Sequence, residues 1–387
     1  MTNVASGMQV SLGNCGSHPS GVPSHVHGDC SLLRIWDANN PAAFDTWVDN
    51  WNGWPHREVF AHPAYLNLFK SETDRVIGAY FECAAGKVFY PFLLRDLTNQ
   101  PFWNAADGPA VDLATPLGYG GPEGWDITDR TALTSRFWQT FAEWAASVGL
   151  VSEFVRLSLF TETLVDDPSE RQFRQHNVVR SLDVDEPELW TDFRHKVRKN
   201  VQRARRSGVR VEVDQNAARL DDFLRIYWAT MDRRSADGGF YFDRKFFERL
   251  VTEINGQFSL FHAVCGGRVI STELVLTSAH NIYSFLGGTD AQFFEMRPND
   301  LLKFEIMRWA KGAGKRRYVL GGGALPDDGI FRYKLSFAPS GAVDFWLRKR
   351  IVCSDRYHLF ARRQAAARKA NRNEPLVDTE FFPEYRA

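Results

Sequence analysis

Residues 301–337 read LLKFEIMRWAKGAGKRRYVLGGGALPDDGIFRYKLSF. The stretch predicts a helix, a short strand, a glycine turn and a second short helix. Leu301, Leu302, Phe304, Ile306 and Trp309 give the first helix the wide apolar face that a packed helix needs. Gly312 and Gly314 end it, because glycine takes the left-handed cap conformation cheaply. Tyr318, Val319 and Leu320 make a buried strand too short to stand alone. At Gly321, Gly322 and Gly323 the backbone either approaches another element or a ligand closely, or simply turns. Lys334 lies between Phe331 and Phe337 at helical spacing, so the face that buries two rings also carries an ammonium. Such a lysine either snorkels to solvent or points into a cleft.

The rest of the chain bounds what this stretch can belong to. With 387 residues, 44% hydrophobic and 14% aromatic, the chain is long enough for two domains with large cores. Lys plus Arg and Asp plus Glu both total 47, so net charge points to no nucleic acid or membrane, and any such surface must come from local clustering. The five cysteines Cys15, Cys30, Cys83, Cys265 and Cys353 are scattered and form no CxxC pair, which argues against disulfides or zinc and sets the expectation of no metal. There is no long apolar run and no secretion-signal pattern, so the expectation is a cytoplasmic protein without a membrane span. The oligomeric state is not readable, a monomer being the default.

Residues 1–29 read as a flexible tail rich in Gly, Ser, Pro and His. Strands are expected at 32–37, 75–83 and 87–95, the last two joined by Ala-Ala-Gly, with a helix from Pro41 and an amphipathic helix from Thr128 to Val148. Thr98 to Asp126 reads as a long irregular loop with aromatics, containing DLATPLGYGGP at 112–122. Pro187 to Ser207 reads as one helix with an apolar stripe. Its other face holds Arg194, Lys196, Arg198, Lys199, Arg203, Arg205 and Arg206 with no acid among them, so it is either a solvated face or a phosphate-binding one. From Val209 onward the expected order is β, α, α, β, β, β, α, β, α, β, ending in a basic C-terminal helix from Ser354.

That order is similar to an N-acetyltransferase-like (GNAT) domain, and the first half is compatible with a worn copy of it. FRHKVRKNVQRARRSGVRVEV, the helix ending MRWAKGAGKRRYVLGGG, the block FRYKLSF and, more weakly, TPLGYGGP together resemble the FemABX-like family of tandem GNAT-fold acyltransferases. The resemblance implies an α/β (α+β) fold of two tandem GNAT-like domains, 30–180 on the acceptor side and 181–365 on the donor side, followed by a tail at 366–387. It implies transfer of an aminoacyl or other acyl group to an amine of a small molecule or peptide. The family's lysine in the block matching FRYKLSF carries over to Lys334, with Gly321, Gly322, Gly323 and Phe331 as the donor channel. Arg95, Tyr119, Gly120 and Gly121 are expected on the acceptor side.

Charge at the reacting carbonyl needs a cation or N–H pair in a dry cleft, which makes Lys334 the leading catalytic candidate. Asp112 is the candidate proton acceptor, with a turn aspartate as the competing reading, and Asp290 and Asp300 are weaker candidates that either cap or catalyse. No GxSxG or Cys–His signature is present, which favours direct transfer. CoA-dependent GNAT domains hold pyrophosphate on glycine-rich backbone at the central helix start, where this chain has Arg297, Pro298, Asn299 and Asp300. The resemblance implies aminoacyl-tRNA or acyl-CoA as donor, and of the two the expected one is aminoacyl-tRNA, with no cofactor and the basic helix as tRNA surface. The alternatives are an acyl-CoA-dependent N-acyltransferase and a non-catalytic RNA-binding module.

Overall fold

The computed structural model describes residues 9–10, 31–236, 238–370 and 381–387, so the expected N-terminal tail lies almost wholly outside the described residues. In chain order the strands are β1 (Gln9–Val10), β2 (Leu32–Asp37), β3 (Arg75–Cys83), β4 (Gly86–Asp96), β5 (Val111–Ala114), β6 (Glu123–Trp125), β7 (Leu150–Arg156), β8 (Arg171–Ser181), β9 (Arg210–Asp214), β10 (Phe258–Cys265), β11 (Arg268–Thr277), β12 (Asn281–Thr289), β13 (Arg317–Gly321) and β14 (Ala342–Ile351). The helices are α1 (Pro41–Gly53), α2 (Pro63–Asn67), α3 (Arg130–Ser147), α4 (Glu186–Asp192), α5 (His195–Arg206), α6 (Leu220–Arg234), α7 (Arg244–Glu253), α8 (Pro298–Gly312), α9 (Gly329–Leu335) and α10 (Ser354–Ala370).

The chain forms two compact units. Unit 1 takes Met1–Gly53, Phe69–Phe173 and Trp346–Ala387, and unit 2 takes Trp54–Leu68 and Arg174–Phe345. This differs from a single cut near residue 180. Residues 54–68 join unit 2 because Glu58 accepts from Asn281 Nδ2 and Tyr283 OH, both at 2.6 Å, in a buried network. The C-terminal strand joins unit 1 through its pairing with β7, from Leu347↔Arg156 to Ile351↔Ser152.

In unit 1, β2, β3, β4 and β5 pair antiparallel in turn, β5 pairs parallel with β7, and β14 adds antiparallel to β7. Leu133, Phe137, Phe141 and Ala145 recur every four residues along α3 and are all buried, so the helix lays one stripe on the sheet. Phe137 and Phe141 meet Phe81, Tyr90 and Phe92 at ring-centroid distances from 5.4 to 6.4 Å. Each such fully buried ring contributes roughly 1.5–3 kcal/mol. Asp129 caps the helix by accepting from the amide of Ala132.

The 98–126 region is more regular than its composition indicates, because it contains β5 and β6. The expected tail at 366–387 is also partly built. Residues to 370 continue α10, and Tyr385 is fully buried against Phe102, Tyr357 and Phe360.

In unit 2, β9, β10, β11 and β12 pair antiparallel in turn, β12 pairs parallel with β13, and β8 adds antiparallel to β13. Leu302, Ile306, Met307 and Ala310 of α8 are fully buried in the core cluster with Phe261, Ile282 and Tyr318. The expected helix over 187–207 is two helices. Phe193 and Arg194 take extended backbone, with ψ of 142° and 143°. Phe193 is buried against Trp190, Phe304 and Phe337, and Arg198 reaches back to the open carbonyls of Thr191 and Phe193.

Candidate active site

The strand pair β12–β13 positions the site. It is hydrogen-bonded only from Asn281↔Arg317 to Tyr283↔Val319, while β12 runs on to Thr289. Where the strands part, a cavity of about 960 Å³ opens in unit 2. Ser284 to Thr289 of β12 form one wall, Pro298 to Asp300 and Lys303 of α8 a second, and Tyr333 and Lys334 of α9 a third. Gly287 and Gly288 belong to the wall because nothing larger fits. A Cβ on Gly287 would lie 2.5 Å from the Thr272 carbonyl oxygen, and one on Gly288 would lie 2.2 Å from Thr230 Oγ1.

Lys334 faces this cavity, and its Nζ donates to the carbonyl of Gly322 at 2.7 Å. Burial, reinforced by nearby Lys303, pulls its ammonium down to about 8. Asp328 fixes the start of α9 by accepting from the amide of Phe331 at 2.8 Å and from that of Ala324 at 2.9 Å. Deeper in, Lys303 Nζ donates to Glu273 Oε2 at 2.7 Å, Ser284 Oγ at 3.0 Å and Tyr318 OH at 3.3 Å, and Tyr318 donates to the other oxygen of Glu273. Lys303 is 5% exposed and Glu273 3%, a desolvated pair whose partners satisfy each other. Burial, and then Glu273, hold the Tyr318 phenol well above the ordinary tyrosine range.

The start of α8 carries Asp300, which is 5% exposed and lifted to about 6 by burial. Asn299 Nδ2 donates to Tyr333 OH at 2.9 Å and so ties α8 to α9. Arg233, Arg234 and Arg297 also line the cavity, with the Arg233 guanidinium 5.0 Å above the Phe294 ring.

Residues 191–335, within unit 2, match the family model described as an Acetyltransferase (GNAT) domain. The crystal structure of FemX superposes with a TM-score of 0.61 at 13% identity, covering 82% of this chain and 98% of that one. The chain has the FemABX-like tandem GNAT fold. Two further structures show fainter likeness to this chain. The C-terminal domain of a putative lysylphosphatidylglycerol synthetase from Agrobacterium fabrum has a TM-score of 0.49 at 14% identity, over 85% of this chain and 96% of that one. A tandem GNAT protein from the clavulanic acid biosynthesis pathway has 0.43 at 11%, over 82% and 98%. No curated protein matches by sequence. The mixed sheets with flanking helices are those expected for this FemABX-like fold class.

Other residues singled out in the sequence fall in different places. Gly321, Gly322, Gly323 and Phe331 stand behind Lys334 and are not among the cavity-lining residues. Phe331 is in the core, Gly322 supplies the carbonyl that Lys334 grips, and a Cβ on Gly323 would meet Asp328 Oδ1 at 2.1 Å. Asp112 is in unit 1, in β5, fully buried. It accepts from Arg95 Nε at 2.7 Å, Arg386 Nε at 2.6 Å and Tyr385 OH at 3.3 Å. Arg95 is its cross-strand neighbour, so the two are a structural ion pair rather than loop residues. Gly120 extends β7's pairing, donating to the Arg156 carbonyl at 2.8 Å and accepting from Ser158, with Tyr119 half-buried beside it. Gly121 takes φ +112°, where a side chain would also crowd Leu164 and Leu157. Asp290 caps the turn at Gln292 and pairs with Arg268 at 2.8 Å.

On α5 the acids missing from the local sequence come from elsewhere. Arg203 pairs with Glu295 at 3.0 Å and Arg205 with Glu305 at 2.8 Å. Arg194, Lys196, Lys199 and Arg206 are exposed. The residues that sequence reasoning missed are Lys303 and Glu273. Each is a lone charge inside an apolar run, LLKFEIM and STELVL, and that mismatch is their signal. Among the described residues no helix is long and apolar enough to cross a membrane, and no His/Cys/Asp/Glu group is arranged to hold a metal ion.

Proposed function

We propose that this GNAT acyltransferase fold moves an amino acid from aminoacyl-tRNA to an amine of a small-molecule or peptide acceptor. The observation that carries the reading is the Lys334 ammonium, held on the Gly322 carbonyl and facing a cavity between parted strands. With the group lowered to about 8, roughly nine in ten copies are charged at pH 7. An amine attacks the ester carbon, the new C–N bond forms and the ester C–O bond breaks. The proton lost by the amine ends on the departing ribose oxygen. Lys334 stabilises the carbonyl oxygen or that ribose oxygen as charge develops there. Asp112, whose oxygens are taken up by Arg95, Arg386 and Tyr385, carries no proton in this scheme.

Support for a polyanionic donor comes from Arg233, Arg234 and Arg297 around the cavity and from the exposed cations of α5. The start of α8 is a poor pyrophosphate cradle. Pro298 has no N–H, the Asp300 amide is turned toward the Arg297 carbonyl at 3.3 Å, and a carboxylate stands beside it.

Incubation with total tRNA charged with labelled amino acids, in the presence of candidate amines, should move label to an amine. Lys334→Met should cut that transfer about 100-fold while leaving the fold intact. Unchanged turnover at saturating substrates would remove the lysine from the reaction. A thermal shift with acetyl-CoA and none with aminoacyl-tRNA would replace this reading with the acyl-CoA one.

A further inference from the structure

Asp300 is a carboxylate with a polar neighbour but no cation to pair with. Its Oδ1 accepts from Asn200 Nδ2 at 3.1 Å, and among the described residues no Lys, Arg or His nitrogen lies within ion-pair distance. It is 95% withdrawn from solvent, since 5% is exposed, yet it lines the cavity. The other two cavity carboxylates are committed. Glu273 holds Lys303 and Tyr318, and Asp328 caps α9. A desolvated carboxylate with one amide partner is costly unless a cation arrives.

The position of Asp300 says where that cation would sit. Asn299 and Tyr333 are hydrogen-bonded across the cavity wall, so the next residue along each helix, Asp300 and Lys334, flanks one bonded pair. A carbonyl oxygen placed at Lys334 leaves the rest of the same acyl group inside the cavity that Asp300 also lines. We infer that Asp300 is the recognition site for the α-ammonium of the donated aminoacyl group, so that this cavity selects aminoacyl donors over plain acyl donors. The inference rests on the aminoacyl-transfer reading and names which feature of the donor the site reads. The groups that face Asp300 electrostatically are Arg297 and Lys196, which favour its ionised form, and the Tyr333 phenol.

The test uses amide-linked mimics of aminoacyl-adenosine, with alanyl, leucyl and phenylalanyl groups. Each is compared with its twin bearing hydrogen in place of the α-amine, by titration against the full-length protein. The wild-type protein should bind the best amine-bearing mimic about tenfold to a hundredfold more tightly than its twin at pH 7. Asp300→Asn should bind both alike. In the wild-type protein the preference should grow as pH rises from 5 to 7, a range in which the amine stays largely protonated and Asp300 ionises. That arm needs no variant and stands if Asp300→Asn fails to fold. Wild-type protein binding the twins equally well would overturn this assignment while leaving aminoacyl transfer in place. An undiminished preference in Asp300→Asn would do the same. Binding of none of the mimics, with or without the amine, would overturn the aminoacyl donor itself.

Discussion

The two units share one strand plan but differ in how some of their buried charges are paired. Each has four strands in antiparallel succession, a parallel pair, and a sixth strand antiparallel to the fifth. In unit 1 two buried acids are neutralised on the spot. Asp112 holds Arg95 and Arg386, and Glu153 holds Arg348 at 3.3 Å and Arg350 at 2.9 Å. In unit 2 a lysine and an aspartate face a cavity with only a carbonyl and an amide for company. Satisfied charges stiffen a sheet. Unsatisfied ones, held by the surrounding fold, are available to a ligand.

Four experiments break or sharpen that contrast. Asp112→Ala should have the largest effect on stability, a loss of about 3–5 kcal/mol, because it strands two partly buried guanidinium groups. Chemical denaturation would measure it, and a small change would mean that unit 1 tolerates unpaired charge as well as unit 2 does. Next, turnover should decline as pH rises through about 8, where Lys334 loses its proton. An ordinary lysine would keep its charge to about pH 10. A rate that stays level up to pH 10 would place the working cation elsewhere.

Third, Asp300→Asn should stabilise the free protein by up to about 3 kcal/mol at pH 7 and not at pH 3. The sign follows from a carboxyl raised by burial from the usual aspartate value to about 6. Below the unfolded value both states are protonated. Between the two values the folded state holds the extra proton, so stability is lost as pH rises through about 6. Thermal melts across pH 3–8 would record it. The smallest effect is expected from Lys199→Gln with Arg206→Gln, which should lower the salt slope of tRNA binding by about 1.5–2. An unchanged slope would leave α5 with a structural role only.

The sequence made much of unit 2 legible and little of its electrostatics. The apolar stripe of α8 and the glycines that close it each act within a few residues, so pattern alone finds them. Lys334 was visible because two phenylalanines bracket it on one helical face. The break between α4 and α5 was not, since it depends on where Phe193 finds its aromatic neighbours. Asp112 read as a loop residue because β5 is only four residues long and earns its place through pairing with β4 and β7. Glu273 and Lys303 sit 30 positions apart on different elements, and only the packing of α8 on the sheet makes them a pair.

The sixth strand of unit 1 is drawn from the far end of the chain, and α10 and the buried Tyr385 follow it. During synthesis that unit therefore lacks a strand until residues beyond 346 have left the ribosome, by which time all of unit 2 has emerged. The half that begins first is the half that finishes last, and a stop placed just after Phe345 would leave β7 with an open edge available for pairing with other chains.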